Sequence, residues 1–266
     1  MEPIRAERPV GDVRQPQSRS WLRNQDWKLG PETGQTLKRI RSLVSAEIKH
    51  LFGLESYLQN EDRRILQDVI FPDVLNDDGY KTVLFVGCSW CTRPYNKHFE
   101  ARKNYWTIDN SRWKRRYGAR QHVVAPLHQL GRYFAPETFD LIICNGVYGW
   151  GLNERADIEE TFAACYDALH EGGVLLIGWD DVDEANPCPP STWECLTRFR
   201  RFTFPPLATA EFVTDTPYRH TYSFYRRPRT AELRAASSRN GRDIWDMYAR
   251  DMYAGDMYAR DMARRR

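Results

Sequence analysis

The sequence predicts an α/β protein: a Rossmann-like, mostly parallel sheet flanked by helices, with a C-terminal antiparallel hairpin and N-terminal helices. Three observations predict it. Thr82 to Asn110 reads TVLFVGCSWCTRPYNKHFEARKNYWTIDN, in which an apolar run reaches Gly87, a polar loop and a helix-length interval follow, and a second apolar run closes on Asp109. That is the order of a β-turn-α-β unit. Two further continuous apolar runs, in FDLIICN and VLLIGW, suit strands buried on both faces of a parallel sheet. Finally, RFTF, EFVTDT and TYSFYRR are rich in β-branched and aromatic residues, with Pro205, Pro206 and Pro217 between them, as in strands at the end of a sheet.

Taken in order, residues 1–30 are rich in Pro, Arg, Gln and Ser with isolated Trp21 and Trp27, and are expected to form a flexible arm. Residues 31–77 are expected to be a helical cap. Leu37, Ile40, Val44, Ile48 and Leu51 recur at three- and four-residue spacing over Thr36 to Leu51, and a second helix is expected from Glu61 to Ile70, ended by Pro72. The α/β domain is expected over 78–228. After Asp109, NSRWKRRYGAR predicts a short exposed helix, and His122 to Val124 a brief strand. Phe139 to Asn145 predicts a central strand, Ala156 to Leu169 a helix, and Glu171-Gly172-Gly173 a turn into the strand from Val174. Ser191 and Glu194 have the spacing of a reciprocal helix cap. Residues 229–266 are expected to be a flexible or helical tail. From Asp246 they read DMYAR, DMYAG, DMYAR, DMARRR, a five-residue repeat whose methionines drift around a helix instead of forming a stripe.

Composition narrows the class. The 41% apolar content suits a globular chain, and no run approaches the roughly 18 apolar residues of a membrane span. The opening MEPIRAERPVGDVRQ lacks the apolar centre of a signal peptide, so a cytoplasmic protein with reduced thiols at its six cysteines is expected. The net charge of +3 hides an asymmetry: residues 41 to 225 carry 20 Lys and Arg against 25 Asp and Glu, a net of −5. The basic excess is in the tails and argues against a polyanion-binding core.

In such a unit the loop after the first strand lies where open parallel sheets bind ligands, and an acid about 20 residues on can accept hydrogen bonds from a ribose. Here Gly87 and Asp109 stand 22 residues apart. A nucleoside-containing ligand is expected. Together with the EGG turn and the terminal strands, these features resemble the class I S-adenosylmethionine-dependent methyltransferases over about Asp78 to Pro228. The resemblance implies S-adenosyl-L-methionine as cofactor, a loop made by Gly87, Cys88, Ser89 and Trp90, a ribose-binding Asp109 with Asn110 beside it, and Asn145 facing the transferring methyl group. The sequence departs from the family's acidic strand end and Gly-x-Gly-x-Gly loop: Phe85 stands at the acid, Ser89 at the second glycine and Cys91 at the third.

Each of these residues also has a simpler use. Gly87 can be a tight turn, Asp109 a helix cap and Asn145 a turn former. A catalytic residue is not marked by any motif; Tyr148, Asp180 and His220 are candidates because they fall in segments at the carboxyl edge, with Tyr148 and Trp150 either pocket walls or packed aromatics. Cys88 and Cys91 form a CxxC, but a zinc site would need two more ligands at a suitable spacing, and no metal is expected. The expected partner is a small-molecule acceptor, with no membrane. The alternatives are a non-catalytic methyltransferase-like binding module, and a nucleic-acid methyltransferase suggested by WKRRYGAR, RFRR and YRRPR. The acceptor atom and the oligomeric state are not encoded in any motif.

Overall fold

The continuous apolar runs become the middle of a sheet. A computed structural model describes residues 61–183 and 188–235, which lie within the unit Ser42–Arg266. The expected helix Thr36 to Leu51, the N-terminal arm and the pentapeptide repeat fall outside the described residues. Strands β1 (Thr82–Val86), β2 (Asn104–Asp109), β3 (Gln121–Val124), β4 (Phe139–Asn145), β5 (Leu169–Asp180), β6 (Arg200–Arg201), β7 (Glu211–Val213) and β8 (His220–Arg226) form one sheet. Its order is β3-β2-β1-β4-β5-β8-β6, with β7 also on β8. Strands β1 to β5 pair in parallel, whereas β8 runs antiparallel to β5, and β6 and β7 lie end to end along its far edge. The expected parallel sheet with an antiparallel C-terminal end is present.

Both faces are covered, which explains why β1 and β4 read as unbroken apolar runs. On one face Leu84, Ile142, Cys144, Leu175 and Ile177 pack with Ile158, Phe162 and Cys165 of α4 (Arg155–Ala168). On the other, Phe85, Ile143, Leu176 and Phe224 pack with Tyr95 and Phe99 of α3 (Arg93–Glu100) and with Leu66, Ile70, Phe71 and Val74. The last four belong to the N-terminal helical run: α1 (Glu61–Arg64), a π-helical segment Ile65–Ile70 and α2 (Phe71–Asn76). These helices thus contribute to the core on this face of the sheet.

Several local expectations are corrected. Pro72 does not end the helix; it sits in the first turn of α2, where its missing N–H is not needed. The widened π turn ahead of it, with the Phe71 N–H on Leu66 O, makes room for the ring. Glu171-Gly172-Gly173 is not a separate turn, because β5 begins at Leu169 and absorbs it as an irregularity between Phe139 and Leu141 of β4, with Gly172 at φ +84°. Ser191 and Glu194 make no cap: each lies in its own short 3-10 turn, and the Glu194 and Cys195 N–H groups donate instead to the Glu159 carboxylate of α4. Of RFTF, residues 201–204, only Arg201 lies in a strand, the two-residue β6. Past Pro228 the chain stays on the domain, with the Thr230 N–H on Glu171 and Glu232 paired to Arg226 at 3.0 Å.

Candidate cofactor and active site

The loop after β1 is held by β2. Gly87 takes φ +83°, and a Cβ there would lie 2.9 Å from Val147 Cγ2, so only glycine turns the chain at this point without strain. Its N–H donates to Ile108 O at 2.9 Å. The next amide, Cys88 N–H, donates to Asp109 Oδ2 at 2.7 Å, while Ser111 N–H donates to Asp109 Oδ1 at 2.8 Å. Lys114 Nζ stands 3.6 Å from the same carboxylate. Asp109 is buried. It therefore ties the loop of β1 to the start of the segment after β2, and each of its oxygens keeps a lone pair beyond the N–H it accepts.

The substituted glycines close the loop on itself. Ser89 N–H donates to Thr92 Oγ1 at 2.9 Å, Cys91 N–H to Ser89 Oγ at 3.3 Å, and Ser89 Oγ and Cys91 Sγ lie 2.9 Å apart. Three amides that a glycine-rich loop leaves for a ligand are thus engaged internally: Cys88, Ser89 and Cys91. Trp90 is half-buried, and Asn110 is exposed beside Asp109. The Phe85 departure has a packing cause: its ring meets Tyr95 at 5.9 Å and Phe71 at 6.5 Å between centroids. A carboxylate there would stand unpaired among aromatic rings, at a cost of several kcal/mol. Burial, with Asp109 adding to it, pushes the Cys88 thiol up to about 12. That is opposite to the direction a redox CxxC requires.

A second cluster forms across β4, β5 and β8. Register sets Asn145 opposite Gly178 and Asp180 opposite His220. His220 Nδ1 lies 2.6 Å from Asp180 Oδ1, His220 Nε2 lies 3.0 Å from Asn145 Oδ1, and Trp150 Nε1 donates to Asp180 Oδ2 at 3.0 Å. Asn145, Asp180 and His220 are all buried. Gly178 makes the crossing possible, because a Cβ there would sit 1.8 Å from Asn145 Oδ1 and 3.0 Å from His220 Nε2. The Asn145 Nδ2 is out of reach of solvent and has no hydrogen-bond partner among the described residues. Two of the three candidate catalytic residues, Asp180 and His220, are thereby joined to Asn145. The third is elsewhere: Tyr148 is buried, donates to Cys188 O at 2.6 Å, accepts from Trp193 Nε1 at 2.9 Å and packs near Phe162 and Trp179. Tyr148 is a packed aromatic, not a pocket wall, and its hydroxyl is raised by that burial.

Sequence reasoning missed Arg63. Its Nη2 lies 3.9 Å from the position of a Cβ on Gly146, at the end of β4. Its Nη1 is out of reach of solvent and has no hydrogen-bond partner among the described residues. EDRR reads as an ordinary charged helix start, and only the docking of α1 on the sheet gives this arginine its place. Among the described residues no group of three or more His, Cys, Asp or Glu could hold a metal ion, and no helix is long and apolar enough to cross a membrane.

The five parallel strands and the reversed β8 define a Rossmann-like sheet with an antiparallel C-terminal end. No family model matches the sequence, and no curated protein matches it. Solved structures do. The N-methyltransferase NodS from Bradyrhizobium japonicum aligns over 64% of this chain and 99% of its own at 15% identity, with a TM-score of 0.48. The 1,6-didemethyltoxoflavin-N1-methyltransferase of Burkholderia thailandensis aligns over 77% and 93% at 13% identity, with a TM-score of 0.43. A TehB-like SAM-dependent methyltransferase from Corynebacterium glutamicum aligns over 72% and 95% at 19% identity, with a TM-score of 0.46. At these values the likeness is one of fold, and a fold does not fix a function.

Proposed function

We propose that the chain is a cytoplasmic S-adenosylmethionine-dependent methyltransferase acting on a small-molecule acceptor. The observation that carries the proposal is the meeting of Gly87, Asp109 and Asn145 at the carboxyl ends of three neighbouring parallel strands, with a buried Asn145 Nδ2 that lacks a partner. An orphaned buried donor at that edge fits a ligand that brings an acceptor. Asp109 would hold the ribose hydroxyls with its remaining lone pairs, flanked by Asn110. Gly87, Cys88, Ser89 and Trp90 would line the cofactor by surface contact, since the loop amides of Cys88 and Ser89 already have partners. The bound cofactor supplies a methyl group already activated by its sulfonium.

The chain's own part is then orientation. Asp180 fixes the His220 ring through Nδ1, and His220 Nε2 donates to Asn145 Oδ1, so the pair would hold the Asn145 amide in place at the edge. Positioning of this type accounts for up to about 7 to 11 kcal/mol of barrier in well-organised systems. A second reading, methylation of nucleic acid, is favoured by one feature: Arg112–Tyr117, directly after Asp109, carries four basic residues and Trp113, whose surface is 82% exposed. Incubation of the full chain with methyl-labelled S-adenosylmethionine and a cell extract separates them. Label in the low-molecular-weight fraction supports the proposal, label in RNA or DNA supports the second reading, and binding of the cofactor without transfer to any fraction leaves a non-catalytic binding module.

A further inference from the structure

His122 stands at the seam between β2, β3 and the basic turn that follows β2. Register sets it opposite Thr107, and its Nδ1 lies 2.8 Å from Thr107 Oγ1. The same oxygen accepts the Ala119 N–H at 2.9 Å, which leaves the hydroxyl proton for Nδ1 and puts the imidazole's own proton on Nε2. That Nε2 is out of reach of solvent and has no hydrogen-bond partner among the described residues. Gly118 packs against the ring: a Cβ there would collide with Nδ1 and would stand 2.7 Å from Cγ. On its other side the turn is held at Tyr117 O by Asn96 Nδ2 at 3.0 Å, and at its start by the Ser111 N–H on Asp109 Oδ1. Between these anchors Arg112–Tyr117 carries Arg112, Lys114, Arg115 and Arg116.

We infer that His122 is an acid-sensitive latch, which holds the basic turn 111–119 on the sheet while its imidazole is neutral and lets the turn lift from β2 and β3 when the ring takes a proton. The protonated ring fits poorly. Nδ1 would become a donor where it now accepts, so the Thr107 hydroxyl must turn away, and the Nε2–H would stay buried without an acceptor, now as part of a cation. The charged groups that face the ring are Asp109 from β2 and Arg115 from the turn, and they oppose each other. Burial is the largest influence and holds the ring below its ordinary value of 6.5, with Asp109 raising it and Arg115 lowering it. A lowered imidazole contributes stability to the closed turn that is present above that ordinary value and lost as pH falls through the closed-state value. Opening returns the ring to water and frees Gly118 and Ala119 beside the Asp109 strand end. The latch belongs to the sheet edge and does not depend on the cofactor reading.

Hydrogen exchange read by mass spectrometry on the full chain, from about pH 7.5 to about pH 5 and corrected for the chemical exchange rate at each pH, measures the opening. Peptides covering 111–119 should lose protection as pH falls below the ordinary imidazole value, by at most about tenfold per pH unit because one proton is linked. Peptides from β1 and β4 should keep theirs. In His122→Asn the amide oxygen takes the place of Nδ1 as acceptor and does not titrate, so protection of 111–119 should be the same at both ends of the range. Unchanged protection in the wild type, a fall steeper than about tenfold per unit, or the same acid loss in His122→Asn overturns the inference. If the variant does not fold, an NMR titration of the wild-type imidazole decides: His122 should titrate below its ordinary value of 6.5, and a midpoint at or above it overturns the latch.

Discussion

Gly178→Ala probes the junction on which the second cluster depends. The added methyl would lie 1.8 Å from Asn145 Oδ1, 2.8 Å from Asn145 Cγ and 3.0 Å from His220 Nε2, so the amide must leave its place. Overpacking of this kind costs about 1–3 kcal/mol, and loss of the bond between His220 and Asn145 adds about 0.5–1.5 kcal/mol. A total of about 2–4 kcal/mol corresponds to a fall in melting temperature of roughly 5–15 °C for a domain of this size. The decisive measurement is a double-mutant cycle by thermal melts. Asn145→Ala alone removes the unpartnered Nδ2 but leaves the buried His220 Nε2 without its acceptor, so it should cost about 1–3 kcal/mol. In the double variant the methyl added by Gly178→Ala occupies space that the Asn145 amide has vacated, and the destabilisation should be close to that of Asn145→Ala alone, giving a coupling of about 2–4 kcal/mol, the whole cost of Gly178→Ala. Additivity to within about 0.5 kcal/mol would refute the claim that Gly178 exists to let Asn145 and His220 meet.

Gly87→Ala forces a side chain onto φ +83° and to 2.9 Å from Val147 Cγ2; it should cost about 1–3 kcal/mol in a denaturant melt and weaken cofactor binding, and an unchanged midpoint would contradict it. Burial, with secondary effects from neighbours at Cys88 and Cys195, pushes the Cys88, Cys144 and Cys195 thiols up to about 12, so at pH 8 only about one in 10⁴ is a thiolate. Alkylation followed by mass spectrometry should label half-buried Cys188 well before these three, and early labelling of Cys88 would contradict the buried loop. At Glu159 desolvation raises the carboxyl, but the side chain and N–H of Cys195 and the N–H of Glu194 outweigh it and hold it below the ordinary value of 4.5. A lowered carboxyl contributes stability that is present above that value and lost as pH falls through its folded-state value. The acid limb of a stability–pH curve should therefore be shallower in Glu159→Gln, and curves that differ only by a constant offset would sink the assignment.

The sheet was legible because its strands are buried on both faces: FDLIICN and VLLIGW had to be internal, and the acid after YWTI marked the end of β2. Punctuation was less legible. Pro72 was read as a stop, whereas a π turn absorbs it, and the Glu171-Gly172-Gly173 turn became part of β5, because both outcomes depend on neighbouring backbone that the local sequence does not describe. The loop departures were visible in sequence, but their cause was not. Phe85 is apolar because Phe71 and Tyr95, from helices before and after it, surround its ring. Asp180 and His220 could be singled out only as residues near the carboxyl edge. Their pairing comes from antiparallel register across 40 residues, and their link to Asn145 comes from a missing side chain at Gly178. Arg63 gave no local signal at all, since its place near Gly146 depends on where α1 docks.

The central claim is that the carboxyl edge of β1, β2 and β4 holds S-adenosylmethionine although the amide of Cys88 is engaged by Asp109 and those of Ser89 and Cys91 within the loop. Isothermal titration of the full chain with S-adenosylmethionine tests it most directly. The account predicts saturable one-site binding that is weakened in Gly87→Ala, whereas no detectable heat of binding at millimolar cofactor would contradict it.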